Sequence, residues 1–128
     1  MKQLLDLTKI DGFSFSFRFY QNDSKDATVE LINEWIAQNN LDAQLYSEEL
    51  NSPKFGSVAD NLRVSLLSYY RNKLKTLAGP VDAPLTLLLD TDLIWNNFDF
   101  LELVEAIEQL KVSAFFTNLH HLDYGWKK

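Results

Sequence analysis

Hydrophobic and polar residues alternate along one stretch near the N-terminus, FSFSFRF. Its phenylalanines occupy every second position: Phe13, Phe15, Phe17 and Phe19. This period of two is typical of a β-strand with one buried face and one wet face. Asp11-Gly12, a dipeptide that favours tight turns, precedes the run. The pattern therefore predicts a β-hairpin over residues 4–20, with these four phenylalanines on its buried face.

Three later segments repeat apolar residues at helical spacing: residues 27–38, 58–77 and 97–111. Asp26 or Thr28 is the candidate N-cap of the first segment. Ser57 and Asp60 form a capping-box-like pair at the second, and Gly79-Pro80 ends it. Asp99 and Glu102 make the corresponding pair in the third segment. We therefore predict three helices.

Short apolar runs between and after these helices predict further strands at residues 42–50, 83–90 and 111–119. The run LTLLL within 83–90 suits a central strand that is covered on both faces. The resulting order, ββαβαβαβ, predicts an α/β sandwich with a mixed sheet and an N-terminal hairpin, with α+β as the alternative class. A chain of 128 residues fits a single globular domain, residues 1–128.

Composition narrows the possible partners and locations of the protein. The chain has 12 basic and 18 acidic residues, a net charge of −6, which opposes binding to nucleic acid or to anionic membranes. It contains no cysteine, so disulfides and thiolate chemistry are excluded. No apolar run approaches the roughly 20 residues that cross a bilayer. We expect a soluble, cytoplasmic protein that binds a basic partner.

The acidic residues are unevenly distributed. No lysine or arginine lies between Lys75 and Lys111, an interval that holds seven carboxylates: Asp82, Asp90, Asp92, Asp99, Glu102, Glu105 and Glu108. A helical wheel places the three glutamates opposite the apolar side of the third helix. Two interpretations stay open, a solvated face that keeps the protein soluble and a recognition face for a cationic partner. The preceding predicted helix is basic and carries Arg63 and Arg71. The acidic residues could therefore neutralise this helix instead of binding a partner.

Aromatic residues within the acidic interval favour recognition. Trp95 and Phe98 lie among the carboxylates, and aromatic anchors ringed by charge are typical of interface hot spots. The leading hypothesis is a non-catalytic, immunity-type inhibitor that neutralises a basic nuclease toxin or another nucleic-acid-processing protein without a cofactor. Its predicted contact residues are Asp90, Asp92, Trp95, Phe98, Asp99, Glu102, Glu105 and Glu108.

Two alternatives come from other functional classes. Asp90 and Asp92 follow an apolar run, and this pattern resembles the first motif of haloacid dehalogenase-type phosphatases, which implies a small Mg²⁺-dependent phosphotransfer enzyme or hydrolase. The resemblance ends at Leu93-Ile94-Trp95, where that family has a small residue or threonine. The high aromatic content also fits a homo-oligomeric binding module. His120 and His121 are adjacent, so their side chains diverge and do not easily share one metal ion.

Overall fold

A computed structural model describes residues 1–53, 61–80, 82–89 and 97–110. These residues belong to two compact units, one with residues 1–13 and 97–110, the other with residues 14–53, 61–80 and 82–89. Their regular elements are α1 (Lys2–Leu7), β1 (Phe17–Asn22), α2 (Thr28–Gln38), β2 (Ala43–Glu48), α3 (Asn61–Ala78) and α4 (Asn97–Leu110). The described chain is therefore mixed α/β in character.

The second unit is built around a β-α-β segment. Strands β1 and β2 pair in parallel, from Phe17 opposite Ala43 to Asn22 opposite Glu48. Parallel neighbours need a crossover connection, which helix α2 supplies between them. Both strands consequently end at the same edge of the sheet.

Helices contact both faces of this small sheet. On one face, the ring of Phe19 meets that of Trp35 in α2 edge-on, with 6.2 Å between centroids. On the other, the ring of Tyr20 lies 5.9 Å from that of Tyr70 in α3. The predicted wet face of β1 is therefore wrong, because α3 packs on it and all six residues of β1 are half-buried. Covered faces are typical of parallel sheets.

Local hydrogen bonds mark the helix ends in this unit, but the N-cap of α2 is Ala27, so the predicted N-cap at Asp26 or Thr28 is wrong. Asp26 accepts a hydrogen bond of 3.1 Å from the Thr28 amide at the start of α2, and it also accepts the Thr28 hydroxyl. Beyond α3, Gly79 takes a φ of +70°, and its amide donates to the carbonyl oxygen of Thr76 at 3.3 Å. Glycine adopts this left-handed conformation without a Cβ penalty. Ser57 and Asp60, the predicted start of this helix, lie outside the described residues.

The first unit contains the most deeply buried side chains of the described chain. Leu7 of α1 and Phe100 of α4 are 3% and 6% exposed. The Phe13 ring meets the Phe100 ring edge-on at 5.5 Å between centroids. Edge-to-face pairs of this kind add to the stabilisation from burial. Contacts of α1 and Phe13 with α4 thus hold the described part of this unit together.

The predicted N-terminal hairpin is wrong. Residues Lys2–Leu7 form a helix, in which Leu4 and Leu7 are spaced to share one face, and the ladder partner of β1 is β2. The dipeptide Asp11-Gly12 does form a turn, with Gly12 at a φ of +85°.

The strand predicted over residues 83–90 is also not formed in its described part, residues 83–89. Leu87 and Leu88 are 37% and 55% exposed, and among the described residues no strand lies beside them. The strand predicted at 111–119 lies outside the described residues. No helix within the described ranges is long and apolar enough to cross a membrane.

Candidate protein-interaction surface

Helix α4 has an apolar side and a charged side, as its sequence predicts. Phe100 is buried, and Leu103, Val104 and Ile107 are half-buried. The glutamates at positions 102, 105 and 108 are exposed. The spacing of about 100° per residue separates these two sets around the helix axis. The prediction that the glutamates face solvent is confirmed.

The charged side also carries two large apolar side chains. Phe98 is 65% exposed and Leu101 is 41% exposed. On the helical wheel Phe98 falls between Glu102 and Glu105, and Leu101 falls between Glu105 and Glu108. We call the five residues Phe98, Leu101, Glu102, Glu105 and Glu108 the acidic face. It combines apolar area with carboxylates on a single helix.

The carboxylates of the acidic face have no cationic neighbours within the described residues. Neither Glu102, Glu105 nor Glu108 forms an ion pair there. The side-chain amide of Gln109 donates a hydrogen bond to Glu105 Oε1 at 2.8 Å. Carboxylates three residues apart on a helix repel one another. Within the described residues, no cation compensates the negative charge of the acidic face.

The predicted contact residues divide into two groups. Phe98, Asp99, Glu102, Glu105 and Glu108 all lie on α4. Asp99 is half-buried in the first turn of that helix, where a carboxylate interacts favourably with the helix dipole. Asp90, Asp92 and Trp95 lie outside the described residues.

The basic helix α3 has carboxylate partners of its own. Lys73 Nζ lies 3.0 Å from Glu48 Oε1 of β2, and Glu48 Oε2 accepts a 2.8 Å hydrogen bond from the Tyr20 hydroxyl. These contacts lower the pKa of Glu48, first through Tyr20 and then through Lys73. Burial, followed by the hydrogen bond to Glu48, raises the pKa of Tyr20. Part of the charge of α3 is thus compensated inside its own unit.

A polar cluster at the carboxyl ends of β1 and β2 was missed by sequence reasoning. The carboxylate of Asp23 accepts the backbone amides of Leu50, Asn51 and Ser52 at 2.7, 2.7 and 2.9 Å. It also accepts the side-chain amide of Asn22 at 2.9 Å. Asp23 has a φ of +60°. The sequence signal at this position was a polar turn, Asn-Asp-Ser, after a strand. That pattern does not indicate that Asp23 binds a loop far away in the chain.

The hydrogen bonds to Asp23 govern its ionisation. The Ser52 amide contributes most, followed among the donors by Asn22, Asn51 and Leu50, and together they hold the pKa of Asp23 well below its usual range. The carboxylate is consequently ionised throughout the physiological pH range. Both oxygens of the Asp23 carboxylate accept hydrogen bonds from these four donors. Asp23 therefore mainly joins the loop after β1 to the loop after β2.

Within the described ranges, no group of three histidine or acidic residues is placed to hold a metal ion. No protein-family model matches the chain, and no curated protein or solved structure shows significant similarity to it. Functional inference therefore depends on the physical chemistry of the surfaces themselves.

Proposed function

We propose that the protein is a small non-catalytic inhibitor of the immunity type, and that the acidic face binds a basic protein. The observation that carries the proposal is the exposure of Phe98 and Leu101 on α4, among three exposed glutamates that form no ion pair with a described residue. The partner is a nuclease toxin or another protein that processes nucleic acid. Asp90, Asp92, Trp95 and Asp99 complete the proposed contact surface.

Electrostatics and apolar contact have separate roles in this proposal. The carboxylates occupy positions that nucleic acid phosphates would take on the partner, and their field accelerates encounter with a basic cleft. Phe98 and Leu101 lose water on contact and supply the short-range part of the affinity. A charged rim around an apolar centre is the usual arrangement of protein interfaces.

The proposal includes a cytoplasmic location and a mixed-sheet sandwich as the finer form of the α/β fold. It requires no cofactor, and recognition does not depend on catalysis. The magnesium-dependent alternative depends on Asp90 and Asp92, which lie outside the described residues, so it stays a prediction. The homo-oligomeric alternative likewise stays a prediction.

A capture experiment with charge-matched variants tests the proposal. The test variant combines Glu102→Gln, Glu105→Gln and Glu108→Gln, and the control combines Glu30→Gln, Glu34→Gln and Glu49→Gln at other exposed positions. Both remove three negative charges, and glutamine has nearly the helix propensity of glutamate. Tagged proteins are exposed to lysate of the native organism at low and high salt, and mass spectrometry identifies what is retained.

The proposal predicts a basic protein that wild type and the control variant retain at low salt and that the test variant loses. High salt should release it from wild type, because screening weakens the attraction between exposed charges. Equal retention by both triple variants would assign the binding to another surface. Equal loss would attribute it to net charge rather than to the acidic face.

A further inference from the structure

An open cleft of about 510 Å³ lies beside the Asp23 cluster in the second unit. It adjoins the ends of β1 and β2, since Asn22 is the last residue of β1 and both Asn51 and Ser52 closely follow β2. Crevices at the carboxyl ends of parallel strands are the common ligand sites of open α/β sheets. The volume lies within the range of small-molecule sites, about 300–1,000 Å³.

Two cations line this cleft without a carboxylate partner in the described parts of the chain. Arg63, in the first turn of α3, is half-buried, and Lys25, in the loop after β1, is exposed. Neither side chain forms an ion pair with the described acidic residues. The described lining thus carries two cations and one carboxylate, Asp23, in a protein whose net charge is −6.

Among the described residues that line the cleft, Asp23 is the one carboxylate, and its oxygens already accept hydrogen bonds. Both oxygens of Asp23 accept two hydrogen bonds each, from the loop amides and from Asn22. These four hydrogen bonds stabilise the ionised carboxylate, whose negative charge stays in the cleft beside the two cations. Lys25 and Arg63 are not among these donors and pair with no described carboxylate, so within the described residues both can contact an incoming anion.

A hydroxyl group adds a directed donor. Ser52 Oγ accepts the Tyr70 hydroxyl at 2.7 Å and the Asn22 side-chain amide at 3.4 Å. A serine hydroxyl also carries one hydrogen of its own to donate. Among the described residues this hydrogen has no acceptor, so an oxyanion in the cleft would supply one.

We propose that this cleft binds a small phosphate monoester, with Arg63, Lys25 and the Ser52 hydroxyl at the phosphate. Two cations suit the double negative charge of a phosphate, and the guanidinium fork matches its oxygens. Leu66, Leu67 and Pro53 line the same cleft and contact the organic part of the ligand. This site is independent of the acidic face, which lies in the other unit.

Phenyl phosphate is the probe for the test, because it joins a phosphate to a small apolar ring. Phenol lacks the anion, and benzoate replaces the phosphate with a carboxylate. Each compound is titrated into the ¹⁵N-labelled full chain, and amide chemical shifts are followed by NMR. We expect saturable shifts from phenyl phosphate centred on Ser52 and Arg63, weaker binding of benzoate and none of phenol.

Variants with a matched control locate the site. Arg63→Gln and Lys25→Gln should each raise the Kd of phenyl phosphate about tenfold, the effect of one charge-assisted contact. Lys75→Gln removes the same charge from an exposed residue of α3 outside the cleft and should change the Kd less than twofold. The amide spectrum of each variant verifies its fold.

Three results would overturn the inference. Shifts that do not saturate would show that phosphate has no site here. An equally large rise in the Kd from Lys75→Gln would show that net charge, rather than a local site, causes the effect. Binding of phenol or benzoate as tight as that of phenyl phosphate would remove the assignment to phosphate.

Discussion

Asp23 joins the two turns that follow the parallel strands of the second unit. Its carboxylate receives the amides of Leu50, Asn51 and Ser52, which would otherwise need water or another acceptor. Aspartate tolerates the left-handed φ of +60° better than most residues do. A single side chain therefore shapes the wall of the cleft.

The variant Asp23→Asn should lower the melting temperature at neutral pH by several degrees. It keeps the backbone preference, but it replaces one accepting oxygen with an NH₂ group that faces two donors. The measurement is thermal unfolding followed by circular dichroism. Asp11→Asn, a change at an exposed residue of the other unit, is the control and should leave the melting temperature nearly unchanged.

The stability lost in Asp23→Asn should depend on pH. Because folding lowers the pKa of Asp23, its contribution is complete above the unfolded pKa, about 3.9. It declines as the pH falls through the still lower folded pKa. The difference between wild type and variant should therefore be constant from pH 7 to pH 5 and shrink below pH 4. A constant difference down to pH 2 would contradict the role of the ionised carboxylate.

At the scale of single residues, the sequence predicts contacts between neighbours in the chain better than contacts between residues far apart in it. Gly79 was foreseen as a helix end and Asp26 as a residue at the start of α2, because their partners lie within a few residues, although the N-cap itself is Ala27 rather than Asp26 or Thr28. The partners of Asp23 are 27 to 29 residues away. Only the parallel pairing of β1 with β2 brings them together.

At the scale of elements, the two phenylalanines of α4 differ sharply in exposure. Phe100 is 6% exposed and contacts Phe13, whereas Phe98 is 65% exposed on the acidic face. Burial of a phenylalanine stabilises the fold, whereas an exposed one contributes little to folding. The contrast gives Phe100 a packing role and leaves Phe98 exposed, as the proposed contact with a partner requires.

The variant Phe100→Ala should lower the free energy of unfolding by about 3 kcal/mol, the cost of removing a buried aromatic side chain. Phe98→Ala should change it by no more than about 0.5 kcal/mol. Urea denaturation measures both. Once the partner is identified, Phe98→Ala should also weaken binding by about 1 kcal/mol or more. A loss of stability as large in Phe98→Ala as in Phe100→Ala would place Phe98 in the core.

Sequence periodicity identified most of the described helices and strands, but it did not identify which of them pack against one another. The alternation of Phe13 to Phe19 correctly indicated a strand, yet β1 begins only at Phe17 and pairs with β2 rather than with residues 4–10. The short run before Asp11-Gly12 fits helix and strand equally well, and packing of Leu7 in the first unit selects the helix. The ring contact between Tyr20 and Tyr70 could not be predicted because it spans 50 residues of chain.

At the scale of the whole molecule, charge is the property that relates sequence to proposed function. The net charge of −6 and the lysine-free interval were visible in the sequence. The structure adds that three glutamates of this interval are exposed beside Phe98 and Leu101. It also reveals the cationic cleft formed by Lys25 and Arg63, residues that are 38 positions apart in the chain. The net negative charge of the chain did not predict that two cations would line one cleft.

The most direct test of the acidic face is the rate at which the captured partner associates with wild type and with the Glu102/Glu105/Glu108→Gln variant. Stopped-flow measurements across a range of ionic strength separate electrostatic steering from short-range contact. We predict that the variant associates about tenfold more slowly at low salt, with a much weaker dependence on salt than wild type. Identical rates and identical salt dependence would contradict the proposal that these three glutamates guide a basic partner.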